Sequence, residues 1–382
     1  MTRASLFTAA LMTVGLVAVK ATTYPATLAG CLAFAALFDN TCTDLSTAVS
    51  FTSVPSETMT CTGDWAYCAG TSSGTTCTWT RQLCVTCRSV SGVPYIRVQS
   101  NGLPNRCYYA GAATPSAQQY DFEVKFNWEA TSTVVSVSSQ TDANTYNCQF
   151  SQGSWSKVPS SAGFTNYGTT STGDAIGFAI DGLSMQPMLT GSNVDDFYAP
   201  DSYLTFTYSK NSTINMDHCL AHTNTNGQIH YHAASPCLGT PSIASSTPYT
   251  CYSLTSCWGT YLEYSLSYYT ASSGLTPIGL AKDGHIIWGP YTADGEAFDA
   301  CDLDYCSGST IDGVYGYAST QYHPYLPACY GPATSRGSYQ QQCTSNAPYC
   351  GSSSLLAQTK QANRPSSFFK NNRMAQRSAN RV

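Results

Sequence analysis

Charge is scarce in this sequence: Asp, Glu, Lys and Arg together make up 10% of its 382 residues. Of the 17 Lys and Arg, two (Arg3, Lys20) lie in the first 21 residues and six (Lys360, Arg364, Lys370, Arg373, Arg377, Arg381) in the tail, which leaves nine in the body against all 22 acidic residues. A body so balanced repels a phosphate backbone, which excludes nucleic acid as a partner, and it suits a soluble extracellular protein that attracts divalent cations. No apolar C-terminal segment supports a membrane span or lipid anchor. Phosphate loops and dinucleotide fingerprints are missing. Gly182-Leu183-Ser184-Met185-Gln186 lacks the closing glycine of a nucleophile elbow, which argues against a serine hydrolase. Asp299, Asp302 and Asp304 follow no EF-hand pattern, so a solvated acidic loop is expected there.

Regular helical periodicity is also nearly absent. Short runs rich in Tyr, Thr, Ser and Val dominate instead, punctuated by Gly, Asn and Pro: Phe122 to Trp128, Thr133 to Val137, Ala175 to Ile180, Tyr203 to Tyr208, Gln228 to His232, Tyr261 to Tyr269 and Gly284 to Trp288. They predict a mainly β, antiparallel fold, with one helix between Tyr24 and Phe38. An apolar share of 42% is ample for a core.

Residues 1–21 carry a basic Arg3, an apolar run from Leu6 to Val19, and small residues at Val19 and Ala21, the pattern of a secretory signal peptide. All 18 cysteines come after it, and an oxidising route makes disulfides their expected fate. Cys219 with Cys237 and Cys306 with Cys329 are the natural pairs, since each brackets a repeated motif. Cys84 and Cys87 read as structural rather than redox-active in so cysteine-rich a chain. Residues 22–95 form a Cys-rich N-terminal module or extension, and residues 333–382 a C-terminal extension whose basic, acid-free end from Ser352 is expected to be disordered. Asn211-Ser212-Thr213 is a glycosylation acceptor sequence.

Histidine is rare too, with six in all, yet four lie between His218 and His232. The segment Asp217-His218-Cys219-Leu220-Ala221-His222, followed by Gly227-Gln228-Ile229-His230-Tyr231-His232, recurs as Asp304-Tyr305-Cys306-Ser307-Gly308-Ser309 and Gly313-Val314-Tyr315-Gly316-Tyr317-Ala318, without its histidines. Upstream, Ile176 to Gly182 matches Ile278 to Gly284. This pattern implies two related lobes from an internal duplication, over about 170–240 and 272–332.

These motifs resemble the YHYH-domain family. The family pattern has an Asn-Gly-Ile-Pro-Asn-His-like opening, an Asp-Gly-containing strand, and Cys-x-x-His followed by Tyr-His-Tyr-His. The matching residues here are Asn101 to Arg106, Lys282-Asp283-Gly284, Cys219 to His222 and Ile229 to His232, with a close at Pro324 to Cys329. Arg106 stands where the family tends to have histidine, and Ile229 replaces the first tyrosine. The resemblance covers about 96–332 and implies a secreted architecture without implying a reaction.

The chemistry is argued from the residues. Positions i and i+2 of a strand share a face, so His230 and His232 can converge on one ion, zinc or copper, and His222 would complete a three-nitrogen set. Asp217 would serve as fourth ligand or as hydrogen-bond acceptor to a ligand. A two-residue Asn226-Gly227 turn would place His222 on the wrong face, whereas a three-residue loop centred on Asn226 would place it opposite His230. The alternative is that the three histidines fix a disulfide-rich core. His218 reads as exposed, and His285 and His323 as structural or surface residues. Three functions remain open: a metal-binding protein, a matrix, wall or fibre component assembling through its 27 tyrosines, and a metal-dependent hydrolase with Asp283 or Asp217 as base.

Overall fold

The computed structural model of the chain describes residues 23–62, 76–108, 113–129, 137–146, 162–187, 195, 197–198, 202–203, 206–207, 216–245, 251, 256–257, 260–270, 274–311, 313–332 and 348–350. Residues 1–21, expected to be a signal peptide, most of Thr133 to Val137, Asn211 and the basic tail lie outside the described residues.

The chain is mainly β and rich in disulfides. A hairpin pairs β1 (Glu57–Cys61) with β2 (Cys77–Arg81). A four-stranded antiparallel sheet runs in chain order through β3 (Leu83–Val90), β4 (Val93–Ser100), β5 (Tyr120–Lys125) and β6 (Thr165–Asn166). Strand β4 passes through residue 95, so the cut expected there falls inside a ladder that ties the cysteine-rich segment to β5 and β6. Helix α1 (Leu28–Ala35), inside the expected Tyr24 to Phe38, buries Phe34 on this sheet and is bridged to it by Cys31–Cys87. Cys84 pairs separately with Cys42, so both cysteines of that motif are structural.

The remaining strands are β7 (Gly177–Ala179), β8 (Ser184–Met185), the separate pair β9 (Ser202–Tyr203) and β10 (Phe206–Thr207), then β11 (Ala221–Thr223), β12 (Ile229–Tyr231), β13 (Pro277–Ala281), β14 (Ile286–Trp288), β15 (Gly308–Ile311) and β16 (Val314–Ala318). All but β9 and β10 form an eight-stranded sheet ordered β11-β12-β8-β7-β13-β14-β16-β15. Its order reads alike from the centre outward. The central pair β7 and β13 is antiparallel, each is followed by its hairpin partner, then by a parallel neighbour, then by an antiparallel edge strand. The two parallel pairs, β8 with β12 and β14 with β16, are exceptions to the expected antiparallel pattern.

The correspondence extends to single bonds. Asp217 and Asp304 each accept two backbone N–H bonds on Oδ1, from Cys219 and Ala221 and from Cys306 and Gly308, all at 2.8–2.9 Å. Leu220 and Ser307, at φ 59° and 60°, close the two turns. Disulfides Cys219–Cys237 and Cys306–Cys329 staple them as the sequence suggests. Tyr231 donates to Asp181 at 2.6 Å and Tyr317 to Asp283 at 2.5 Å.

Three-residue loops ending in Asp-Gly join β7 to β8 and β13 to β14, with Gly182 and Gly284 at φ 89° and 91°. No side chain fits at Gly284, where a Cβ would meet the Lys125 carbonyl oxygen at 1.8 Å. One face of the large sheet buries Met185, Tyr231, Ile287 and Tyr317. The other packs Phe178, Leu280 and Trp288 onto Val98 and Phe122 of the four-stranded sheet.

Helix α2 (Gln140–Tyr146) precedes the large sheet in the chain, and α3 (Pro236–Gly239) and α4 (Tyr261–Leu266) lie between β12 and β13. Helix α4 overturns the strand expected over Tyr261 to Tyr269. Tyr261, Leu262, Tyr264 and Ser265 are buried, a helical stripe whose packing outweighs the β preference of tyrosine.

Candidate metal centre

Strands β11 and β12 pair with Ala221 opposite Tyr231, His222 opposite His230, and Thr223 opposite Ile229. Asn224 N–H bonds the Gln228 carbonyl at 3.0 Å, so the loop is Thr225-Asn226-Gly227, three residues closed by Gly227 at φ 77°. The longer of the two expected loops therefore forms, and it puts the three imidazoles on one face. His222 Nε2 and His230 Nε2 each lie 3.0 Å from His232 Nε2. His230 and His232 are buried, and His222, on the edge strand, is half-buried.

Proton positions follow from the outer contacts. His230 Nδ1 is 2.9 Å from the Gln228 carbonyl oxygen, and His232 Nδ1 is 3.1 Å from those of Gln186 and Pro187. Carbonyl oxygens only accept, so both Nδ1 atoms carry the hydrogen and, in neutral rings, both Nε2 lone pairs are bare. Two bare lone pairs 3.0 Å apart repel unless a cation lies between them. A proton is disfavoured. Burial, reinforced by His232, pushes His230 down to about 3, burial pushes His232 down to about 4, and burial with the neighbouring rings holds His222 well below the ordinary imidazole value. Backbone carbonyls that lock Nδ1–H and present Nε2 are the usual outer support of a metal-binding histidine.

Two other clusters place His, Cys or Asp donor atoms together: His218 with Cys219 and Cys237, and Asp299 with Cys301 and Cys350. Their cysteines are closed as Cys219–Cys237 and Cys301–Cys350, so no thiolate is on offer. Among the described residues, only the trio is ready as it stands.

Asp217 does not join it. Its Oδ1 holds the Cys219 and Ala221 amides and its Oδ2 the fully buried Arg106 guanidinium at 2.5 Å, so it shapes the turn entering β11 instead of acting as a ligand. Asp283, the other base considered, is also engaged, by His285 Nδ1 at 2.9 Å and Tyr317. His218 is buried rather than exposed, because the turn closed by Leu220 folds it inward, and burial lowers it to about 4. His285 and His323 are buried structural residues. Arg106, read only as a departure from a family pattern, anchors the lobe. The carbonyls of Gln186 and Pro187 left no trace in the sequence, since any residue supplies one.

Residues 155–299 match the YHYH protein family. That stretch spans both Asp-Gly loops and all three clustered histidines, while the opening at Asn101 to Arg106 and the close at Pro324 to Cys329 lie outside it. Comparison with curated proteins and with solved structures gave no match.

In the second half of the sheet, Gly316 and Ala318 hold the positions that match His230 and His232 in register. Ser309 pairs with Gly316 as His222 pairs with His230, and Trp288 pairs with Ala318 on the parallel side, as Gln186 borders His232. A Cβ on Gly316 would come within 3.0 Å of Trp288 Nε1. The indole fills the space an imidazole would need.

Proposed function

We propose that the chain is a secreted, disulfide-stabilised YHYH-domain protein that binds one divalent ion of the zinc or copper type through His222, His230 and His232. The convergence of three Nε2 atoms, two of them with Nδ1 committed to backbone carbonyls, carries this reading. Imidazole donors suit zinc and copper and disfavour calcium and magnesium, which take oxygen. The small rearrangement needed supports it as well: nitrogens around tetrahedral zinc lie about 3.3 Å apart. Secretion is supported by the signal-like first 21 residues and agrees with the disulfides; among the described residues no helix is long and apolar enough to cross a membrane. An internal duplication, with the site kept in one lobe, is supported by the paired turns, disulfides and Tyr–Asp bonds.

The competing reading as a tyrosine-rich wall or matrix component draws on 27 tyrosines. Many are consumed internally: Tyr231, Tyr315, Tyr317 and Tyr325 are buried and donate to buried aspartates, which leaves them no role as contact surface. The hydrolase reading lacks its proposed bases, since Asp217 and Asp283 are both committed.

Elemental mass spectrometry of protein purified from a secretory host without chelating resin tests the proposal. One zinc or copper per chain is expected, and none in a His230→Ala/His232→Ala variant that retains the parent's circular dichroism. A parent that is empty and takes up neither added metal would refute it.

A further inference from the structure

The trio supplies three donors to an ion that ordinarily takes four. The buried carboxylates described in this lobe do not offer the fourth, since each is already engaged. Asp217 is held by two amides and Arg106, and Asp181 by the Leu183 amide and Tyr231. Asp195 is held by the amides of Phe197 and Tyr198 and by Tyr325. Solvent reaches the cluster through His222, which is half-buried on edge strand β11.

One side chain is different. Gln186 follows β8, and its N–H bonds the Tyr231 carbonyl at 2.9 Å, continuing the register that sets His230 beside Ser184 and Tyr231 beside Met185. Alternation along the strand then brings Gln186 onto the same face as His230 and His232. It is 9% exposed, and no hydrogen bond among the described residues uses its side-chain amide. The matching position of the other half is Trp288, the residue that fills the emptied motif. Where one half is plugged, the other carries a carboxamide with donors to spare.

We infer that the ion bound by His222, His230 and His232 keeps its fourth coordination position for an exogenous small anion or water, with the Gln186 amide positioned to hydrogen-bond it. This rests on the metal-binding reading and adds that the centre is open, a small-anion receptor rather than a closed structural clip.

Cobalt(II) and azide test it on the full secreted chain. Cobalt in a four-coordinate nitrogen-rich site absorbs strongly in the visible, and the band moves when a ligand is exchanged. The expected result is a cobalt spectrum that azide shifts with a saturable one-to-one isotherm. Gln186→Leu keeps the backbone carbonyl beside His232 Nδ1 and should weaken azide about tenfold in the cobalt-loaded protein, the loss of one hydrogen bond to a charged group. Gln186→Trp, which copies the filled half, should abolish the azide response. Cobalt bound with a spectrum indifferent to azide would overturn the open position and leave metal binding standing. Azide binding equal in parent and Gln186→Leu would remove Gln186 from the account. Failure to bind cobalt, zinc or copper would overturn both readings.

Discussion

Asp217→Ala is expected to destabilise the protein by about 3–5 kcal/mol, because it strands the fully buried Arg106 guanidinium without its counter-ion. The same change removes the acceptor of the Cys219 and Ala221 amides, which shape the entry to β11. Asp304→Ala makes the matching deletion in the other half, but there the second partner is the neutral hydroxyl of Tyr315 at 2.7 Å, and a cost of about 1–3 kcal/mol is expected. Thermal or denaturant unfolding of the two variants side by side measures the difference. Equal losses would mean that the Arg106–Asp217 pair contributes no more than the turn it closes.

Zinc should stabilise the folded chain by about 2.7 kcal/mol at a free concentration one hundred times its dissociation constant, a rise of roughly 5 °C or more in melting temperature, reversed by chelator. His230→Ala should abolish the rise. Its pH dependence follows from the buried rings. In metal-free protein His230 and His232 are depressed to about 3 and 4, below their unfolded value near 6.5, so the unfolded chain binds more protons between those limits. Stability is therefore full above pH 6.5 and is lost as pH falls toward 4, at about 1 kcal/mol per histidine over the first unit. The zinc increment should differ little between pH 7.5 and 5.5, since the folded ligands stay neutral across that range. A collapse of the increment near pH 6.5 would mean solvated, ordinary histidines.

Much of this site was legible because strand geometry is simple. The alternation rule set His230 and His232 on one face, and only the loop length stood between His222 and the same face. The matched segments ending at Gly182 and Gly284 close three-residue loops, as the Asn226-Gly227 loop does, whereas β15 and β16 pair Ile311 with Val314 and leave two residues between them, so Gly after Asp or Asn does not by itself fix the loop length. Asp217 was the instructive error. An aspartate beside histidines reads as a ligand, yet its counterpart Asp304 persists where the histidines are gone, which is the mark of a turn residue. Arg106 was opaque for a different reason. It meets Asp217 across 111 residues, and a buried ion pair at that separation has no local pattern. Tyr261 to Leu266 misled because tyrosine favours strands, while the burial stripe that makes it a helix depends on Phe197 and Tyr325, residues far away in the chain.

X-ray absorption at the zinc edge of the loaded protein tests the central claim most directly. Three imidazole nitrogens at about 2.0–2.1 Å, with the multiple scattering of histidine rings and one further light atom, are predicted. A sulfur shell near 2.3 Å, or an oxygen shell without imidazole scattering, would contradict the assignment of His222, His230 and His232 as the ligands.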